Sequence, residues 1–207
     1  MDLYILGAGG HGKVVLDIAL ISGKYKNIYF LDDVKGIGTN ILNSKVINKI
    51  DYEFIKNINN SKIQFFVAIG DCIRRQDFQN KLSNLKLQIP TLIHPLTSIS
   101  SFSSIGEGAL ICAGSILGPD SKIGRGTIIN HSSVIDHDSD VGEFSHICPH
   151  SSLSGGVKFG RLSTLGTGSK VIPKVKIGDY CLIGAGSVVV DNISNNSKAK
   201  GVPARVY

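Results

Sequence analysis

Residues 93–189 read IHPLTS ISSFSS IGEGAL ICAGSI LGPDSK IGRGTI INHSSV IDHDSD VGEFSH ICPHSS LSGGVK FGRLST LGTGSK VIPKVK IGDYCL IGAGSV V, with an aliphatic or aromatic residue at every sixth position. This period fits neither the repeat of an amphipathic helix nor the simple alternation of an ordinary strand. It is the hexapeptide period of a parallel β-helix, in which three hexads form one triangular coil. Residues eighteen positions apart therefore stack in one column, separated by about 4.8 Å.

The composition changes near residue 92 and predicts two domains, residues 1–92 and residues 93–207. The first part is rich in Lys, Asn and Ile and predicts an α/β domain, whereas the second is rich in Gly, Ser and Ile. The net charge of +6 favours phosphate-bearing ligands, but the basic residues are scattered and do not indicate nucleic-acid binding. Because no secretion signal or membrane-spanning run is found, we expect a cytoplasmic protein without membrane insertion.

A glycine-rich loop follows the first predicted strand. The strand covers Leu3 to Leu6, the loop GAGGHG covers residues 7–12, and an amphipathic helix is predicted from Lys13 to about Ser22. The loop matches the pattern G-x-G-x-x-G, whose glycines let the backbone turn tightly and approach a pyrophosphate at the start of a helix. A lone match is weak evidence, but here the required strand and helix flank it.

Two acidic residues end the second predicted strand, Asn27 to Leu31. Asp32 and Asp33 lie about twenty residues after the loop, where a dinucleotide-binding domain places its ribose-binding acid. A third predicted strand, Ile63 to Ile69, leads into a helix with two arginines in its first turn.

Those two residues, Arg74 and Arg75, lie either near a bound phosphate or on a solvated helix face. The polar stretch between Lys35 and Ser61 is interpreted as a variable connection without an assigned function. Three strands make about half of a dinucleotide-binding domain. A Rossmann-like half domain of this size favours a mononucleotide or a nucleotide sugar over NAD.

His137 is the histidine that the hexad register singles out. It takes the third place in its hexad, with Pro119 one coil before it and Gly155 one coil after it. The register therefore predicts an outward side chain beside a residue without one. Asp136 and Asp138 flank it, and a nearby carboxylate orients an imidazole and raises its basicity. Because adjacent strand residues point oppositely, at most one of the two contacts the ring.

Other histidines fall elsewhere in the register. His131 lies on the neighbouring corner and is not expected to share the pocket of His137, and His146 takes the sixth place of its hexad. The run His146, Cys148 and His150 suggests a metal, but strand-spaced ligands lie too far apart to close one site without a bend. We expect no metal and interpret the four widely spaced cysteines as reduced thiols.

The segments GAGGHG, FLDD, VAIGD, SSVIDHD, VGEFSH and GVPAR together resemble the bacterial nucleotide-sugar N-acetyltransferases of the bacillosamine and related amino-sugar pathways. Sialic acid O-acetyltransferases are among the relatives of that family. The resemblance implies a left-handed β-helix, a homotrimer with active sites between subunits, and acetyl-CoA in the groove between adjacent β-helices. It also implies a role in making a bacterial surface glycan such as the O-antigen of lipopolysaccharide.

The resemblance also implies residue roles. His137 falls on the general base of the family, with Asp138 in place of the following glutamate, and His146 falls on the histidine that contacts the acetyl group. The residues implied in acetyl-CoA binding are His146, Gly155, Thr167, Ala185, Gly201 and Pro203. The residues implied in nucleotide-sugar binding are Gly9, Gly10, His11, Gly12, Asp32, Asp33 and Arg74.

The resulting prediction is acetyl transfer from acetyl-CoA to the 4-amino group of a nucleotide-linked 4-amino-4,6-dideoxy sugar, by direct attack with His137 as general base. A route through an acetylated Cys148 is disfavoured, because the register places no base beside that residue. Three alternatives stay open. They are O-acetylation of a sugar hydroxyl such as that of sialic acid, a zinc lyase resembling the γ-carbonic anhydrases, and a non-catalytic scaffold.

Overall fold

A computed structural model describes all 207 residues. The chain divides into two compact units, Met1–Leu92 and Ile93–Tyr207. None of the three helices combines the length and the apolar character that a membrane crossing requires.

The N-terminal unit is a five-stranded sheet flanked by three helices. Its elements are β1 (Asp2–Leu6), α1 (Gly10–Ile21), β2 (Asn27–Leu31), β3 (Asn40–Ile41), β4 (Ser44–Asn48), α2 (Tyr52–Ile58), β5 (Ile63–Val67) and α3 (Cys72–Asn84). The strand order is β3-β4-β2-β1-β5, and only the β3–β4 pair is antiparallel. The carboxyl ends of β1, β2 and β5 therefore meet at one edge of the sheet, next to the glycine-rich loop.

The N-terminal unit departs from the sequence prediction in two places. Helix α1 begins at Gly10 and not at Lys13, so the second half of the glycine-rich loop forms the first helical turn. The interpretation of residues 35–61 as a plain connection is wrong, because the segment holds β3, β4 and α2. Its isolated apolar residues reach the core: Ile41, Val46 and Ile55 are buried. The spacing of these residues is too irregular to predict the two strands and the helix to which they belong.

The C-terminal unit is a parallel β-helix of seventeen two-residue strands, followed by a hairpin. The strands are β6 (Leu92–Ile93), β7 (Ser98–Ile99), β8 (Ser104–Ile105), β9 (Leu110–Ile111), β10 (Ile116–Leu117), β11 (Lys122–Ile123), β12 (Ile128–Ile129), β13 (Val134–Ile135), β14 (Asp140–Val141), β15 (His146–Ile147), β16 (Ser152–Leu153), β17 (Lys158–Phe159), β18 (Thr164–Leu165), β19 (Lys170–Val171), β20 (Lys176–Ile177), β21 (Leu182–Ile183), β22 (Val188–Val189), β23 (Lys198–Gly201) and β24 (Ala204–Val206).

These strands form three faces, and each strand pairs with the strand one coil away. The first face contains β7 and every third strand to β22, the second contains β8 to β20, and the third contains β6 to β21 with the β23–β24 hairpin. Leu117 pairs with Ile135, which confirms the predicted column spacing of eighteen residues. We call the turn from the third to the first face corner 1, from the first to the second corner 2, and from the second to the third corner 3.

Each place in the hexad has its own structural task. The first place fills the apolar interior of the coil, as at Ile135 and Leu153. The fourth place has a positive φ in every hexad from Gly108 to Gly186, which turns the chain at the corner. The fifth place is often a buried serine or threonine whose hydroxyl donates to a carbonyl fifteen residues further on, as Ser139 does to Ser154 at 3.0 Å. These hydrogen bonds tie successive coils together at the corners.

Candidate active site

The imidazole of His137 projects from corner 2, between β13 and β14, and 59% of its side-chain surface is exposed. Its Nδ1 atom lies 2.7 Å from Oδ2 of Asp138. Because a carboxylate can only accept, Nδ1–H donates, and Nε2 carries the lone pair of the neutral ring. Oδ1 of Asp136 instead accepts the backbone N–H of His137 at 2.8 Å. The pair can therefore take up a proton from solvent or from a ligand at Nε2.

The corner itself brings Asp138 to the imidazole. Asp138 occupies the fourth place of its hexad with φ 58°, a left-handed conformation that aspartate tolerates better than most residues. Its backbone N–H donates to Pro119 O at 3.1 Å, and its carbonyl accepts from Nζ of Lys158 at 3.1 Å. The residues beside His137 thus belong to a turn and not to a strand. The alternation of a strand, on which the sequence argument relied, does not decide which carboxylate meets the ring.

The electrostatics of this corner favour the protonated imidazole. The hydrogen bond to Asp138 raises the pKa of His137, and the negative charge of Asp136 raises it further. Desolvation acts in the opposite direction but is outweighed. His137 is therefore a stronger base than an isolated histidine, and it loses its proton at a higher pH.

Gly155 lies directly beneath the ring of His137. A Cβ built on Gly155 would overlap the imidazole, with Cε1 at 2.5 Å and Nε2 in still closer contact. Only glycine lets the imidazole lie against the next coil in this way. The predicted juxtaposition of these two residues is therefore present in the structure, at corner 2.

Further residues named from the sequence lie elsewhere on the β-helix. His146 projects from the third face in β15, and Thr167 and Ala185 lie on corner 1, in the column of His131. Gly201 ends β23, and Pro203 lies in the turn before β24. One chain thus brings Gly155 to His137 but places the other predicted acetyl-CoA residues on a different side of the β-helix.

Asn130, His131 and His146 form a second hydrogen-bonded group, near corner 1 and the third face of the β-helix. Oδ1 of Asn130 is 2.8 Å from Nδ1 of His131, and Nδ2 of Asn130 is 3.1 Å from Nε2 of His146. Sequence reasoning missed Asn130. The hexad register could have predicted this contact. Asn130 lies next to corner 1 and sixteen residues before His146, which places the two side chains within reach of each other on adjacent coils.

The glycine-rich loop of the N-terminal unit leaves the start of α1 open. A Cβ on Gly9 or Gly10 would meet nothing within 4 Å, whereas one on Gly7 would come within 2.9 Å of Ala68 O. A Cβ on Gly12 would collide with the backbone of Gly7. Gly7 and Gly12 are thus required by packing, while Gly9 and Gly10 leave space for a ligand. Helix α1 has no side-chain cap, so its first N–H groups suit an anion.

Asp32 shapes this loop. Its Oδ2 accepts the N–H of Ala8 at 2.7 Å, and its Oδ1 accepts those of Val34 and Lys35. Partial desolvation opposes ionisation, but these backbone donors prevail and lower the pKa of Asp32 below its ordinary value. Asp33 is exposed and accepts the N–H of Ile50 through Oδ1. Asp32 therefore supports the loop from within, and Asp33 presents the more accessible carboxylate.

The remaining predicted residues of this unit differ in exposure. His11 is half-buried in the first turn of α1, and Arg74 is exposed in the first turn of α3. The interpretation of Arg75 as part of a solvated helix face is wrong, because the residue is only 1% exposed. Its Nη1 donates to Ile69 O at 2.9 Å and to Gly70 O at 2.8 Å, which holds the loop after β5 in place. A helical pattern alone cannot distinguish an inward arginine from an outward one.

No group of three or more His, Cys, Asp and Glu side chains is arranged to hold a metal ion. Within the run suggested by the sequence, His146 faces out from β15 and His150 is exposed at corner 1. All four cysteines are free thiols.

Family models match parts of both units. Residues 2–82 match the PglD N-terminal domain, and residues 102–137 match the bacterial transferase hexapeptide (six repeats). The acetyltransferase domain of PglB from Neisseria gonorrhoeae FA1090 is 31% identical, with a TM-score of 0.93 over 100% of this chain and 99% of that chain.

PerB from Caulobacter crescentus, solved with CoA and GDP-perosamine, is 34% identical, with a TM-score of 0.92 over 100% of this chain and 97% of that chain. WeeI from Acinetobacter baumannii AYE has a TM-score of 0.91 at 24% identity over 100% of both chains, which shows the shared fold. The β-helix is left-handed, as in the PglB acetyltransferase domain. The chain therefore belongs to the nucleotide-sugar N-acetyltransferases that join a PglD-type N-terminal domain to a hexapeptide-repeat β-helix.

Proposed function

We propose that this protein transfers the acetyl group of acetyl-CoA to the 4-amino group of a nucleotide-linked 4-amino-4,6-dideoxy sugar. The product would serve the synthesis of a bacterial surface glycan. The observation that carries the proposal is the exposed pair of His137 and Asp138, in which Nε2 of the imidazole is left as the basic atom. The PerB structure holds GDP-perosamine, a nucleotide-linked sugar, and CoA, the thiol that acetyl transfer from acetyl-CoA releases.

In the proposed reaction, the sugar amine attacks the thioester carbonyl carbon while Nε2 of His137 takes a proton from the nitrogen. The new C–N bond forms, the C–S bond breaks, and the imidazolium returns its proton to the departing CoA sulfur. Base catalysis of this kind contributes about 10²- to 10⁴-fold. We assign the backbone N–H of Gly155 as a donor to the thioester oxygen, a contact that contributes about 3 kcal/mol in comparable enzymes.

The acetyl-CoA site in this proposal lies between two subunits of a homotrimer. Gly155 lies with His137 at corner 2, whereas Thr167 and Ala185 lie at corner 1 of the same chain. A groove between corner 2 of one subunit and corner 1 of its neighbour would bring these residues together. The neighbour would also contribute His146, Gly201 and Pro203.

Sedimentation analysis should therefore give three times the monomer mass. Mixed trimers of inactive His137→Ala and inactive Thr167→Trp subunits should regain activity. A fully active monomer would contradict the shared site.

We propose that the nucleotide of the acceptor binds at the glycine-rich loop. Gly9 and Gly10 leave open space at the start of α1, which has no side-chain cap, so a phosphate there would meet the backbone N–H groups of the first helical turn. Asp33 and Arg74 are exposed at the carboxyl edge of the same sheet and at the start of α3. His11, Gly12 and Asp32 complete the proposed nucleotide site and hold its shape.

The test is an acetyl-CoA assay over a panel of acceptors. UDP-, dTDP- and GDP-linked 4-amino sugars are compared with the matching 4-hydroxy sugars and with free sialic acid. We expect CoA release and a product heavier by one acetyl group only with a nucleotide-linked amine. Preferential acetylation of sialic acid would replace the proposal with O-acetylation. If none of these acceptors is acetylated, the proposed function is wrong.

A further inference from the structure

The Asn130 amide connects two histidines at corner 1 and the third face. Its Oδ1 accepts the backbone N–H of His131 at 2.9 Å and lies 2.8 Å from Nδ1 of the same residue. Its Nδ2 lies 3.1 Å from Nε2 of His146 on the next coil. All three side chains are half-buried.

The orientation of this amide follows from the backbone. The N–H of His131 can only donate, so the atom of Asn130 that faces it must be the carbonyl oxygen and not the NH₂ group. Turning the amide by 180° would place two donors against each other at 2.9 Å. The NH₂ group therefore faces His146. This assignment uses a donor whose identity is certain, in contrast to assignments that depend on the protonation of a ring.

The amide is also held in position along the chain. The backbone N–H of Asn130 donates to Ile147 O at 2.9 Å, and its carbonyl accepts from Oγ of Ser115 at 3.0 Å and from the N–H of Ser133 at 3.2 Å. These bonds join Asn130 to the coils on both sides. They fix the backbone from which the side chain extends, and the contacts of the amide with His131 and His146 hold the side chain itself.

From this geometry we infer that Asn130 is a positioning residue that holds His146 as the Nδ1–H tautomer. Because Nδ2 of Asn130 donates, Nε2 of His146 must accept, and the ring proton lies on the opposite nitrogen. Nδ1–H of His131 donates a second hydrogen bond to Oδ1 of Asn130, which further fixes the orientation of the amide.

The catalytic consequence rests on the proposed function. If His146 contacts the acetyl group, it does so with an N–H donor, which suits the thioester oxygen and the negative charge that develops on it. Moving the ring proton of His146 from Nδ1 to Nε2 would then slow acetyl transfer, although the imidazole itself would still be present. The tautomer itself can be measured whether or not the acetyl acceptor is known.

The experiment is ¹⁵N NMR of the histidine side chains in the full-length, ¹⁵N-histidine-labelled protein, with His146→Gln used to assign the His146 signals. In the wild type we expect Nδ1 of His146 to be protonated and Nε2 to be unprotonated. The isosteric variant Asn130→Asp replaces the donor by an acceptor, so Nε2 should become protonated. With that variant, kcat/KM for acetyl-CoA should fall by about 10- to 100-fold, as expected for a misdirected transition-state donor.

Two further variants distinguish an effect on the orientation of His146 from a general effect on folding. His131→Ala keeps its backbone N–H, so the tautomer of His146 should persist while its signals broaden. Lys62→Ala changes an exposed side chain of the N-terminal unit, outside both proposed ligand sites, and should change neither the His146 signals nor turnover. A wild-type His146 protonated at Nε2, or an Asn130→Asp protein with an unchanged tautomer, would overturn the inference. Absence of acetyl transfer with an intact Nδ1–H tautomer would instead overturn only the proposed function.

Discussion

The imidazole of His137 lies on Gly155, the residue one coil further along the chain, so closely that a Cβ there would come within 2.5 Å of Cε1. The contact places the basic Nε2 atom against the backbone of the next coil. It follows from the column spacing of eighteen residues and from the absence of a side chain at one position. A base and a backbone donor can thus approach the same acetyl group, which is the arrangement on which the proposed mechanism depends.

Removal of the imidazole tests this role. His137→Ala should lower kcat by about 10² to 10⁴-fold, because the amine then loses its base. KM for acetyl-CoA and for the sugar nucleotide should stay within about twofold, since an exposed ring contributes little to ground-state binding. Steady-state kinetics measure both effects, and Lys62→Ala, which changes an exposed side chain before β5, is the control. Near-normal turnover in His137→Ala would refute the assignment.

The pH profile tests the partner carboxylate. The hydrogen bond to Asp138 raises the pKa of His137, so activity in the wild type should fall as the pH drops through that raised value. Asp138→Asn removes the charge in a left-handed position that asparagine also tolerates. The acid limb of kcat/KM should therefore move to lower pH, and the maximal rate should fall because the base is weaker. An acid limb at the same pH in both proteins would show that another group titrates.

A methyl group at Gly155 tests the contact between the two coils. Gly155→Ala should cost about 1–3 kcal/mol of stability or displace the ring, with a large loss of kcat, because its Cβ would overlap the imidazole. In a His137→Ala background the overlap is absent, and the same substitution should be nearly neutral for stability. Thermal unfolding of the two single variants and the double variant measures this coupling. Additive effects would mean that the contact is unimportant.

Acid unfolding tests the role of Asp32 in the N-terminal unit. Its pKa lies below the ordinary value of 3.8, so its stabilising contribution is present above that value and is lost as the pH falls through the lower folded value. Asp32→Asn should therefore lower Tm at pH 7, and the difference from the wild type should shrink below about pH 4. Asp33→Asn keeps an amide oxygen that can still accept the N–H of Ile50, so it should have the smaller effect at pH 7. A constant difference at every pH would argue against this linkage.

Two adjacent arginines on α3 provide a matched comparison. Arg75→Gln leaves the carbonyls of Ile69 and Gly70 without their buried donor and should cost about 2–4 kcal/mol. Arg74→Gln changes an exposed side chain and should alter stability by less than about 0.5 kcal/mol. Urea unfolding of both variants measures the difference. Equal and small effects would show that Arg75 does not hold the loop.

Much of the β-helix follows from the sequence, because each hexad place has a single environment. The first place is buried in every hexad from Ile111 to Val189, and only Ile93, Ile99 and Ile105 at the start of the β-helix are less covered. Seventeen apolar residues at this spacing therefore suffice to define the coil and to stack His137 on Gly155. The predicted second strand, Asn27–Leu31, also agrees with the structure. The bounds of α1 and the elements within residues 35–61 were missed, because glycines and short irregular apolar runs carry weak local signals.

The sequence by itself determined the repeat, the column of each residue and the candidates His137 and Asp138. Only the tertiary structure decided which partner each polar side chain takes. The turn at corner 2 directs Asp138 to the imidazole while Asp136 takes the backbone N–H. The packing of α3 buries Arg75 beside an exposed Arg74. Hydrogen bonds depend on distances of a few tenths of an ångström and on rotamers, which periodicity does not encode.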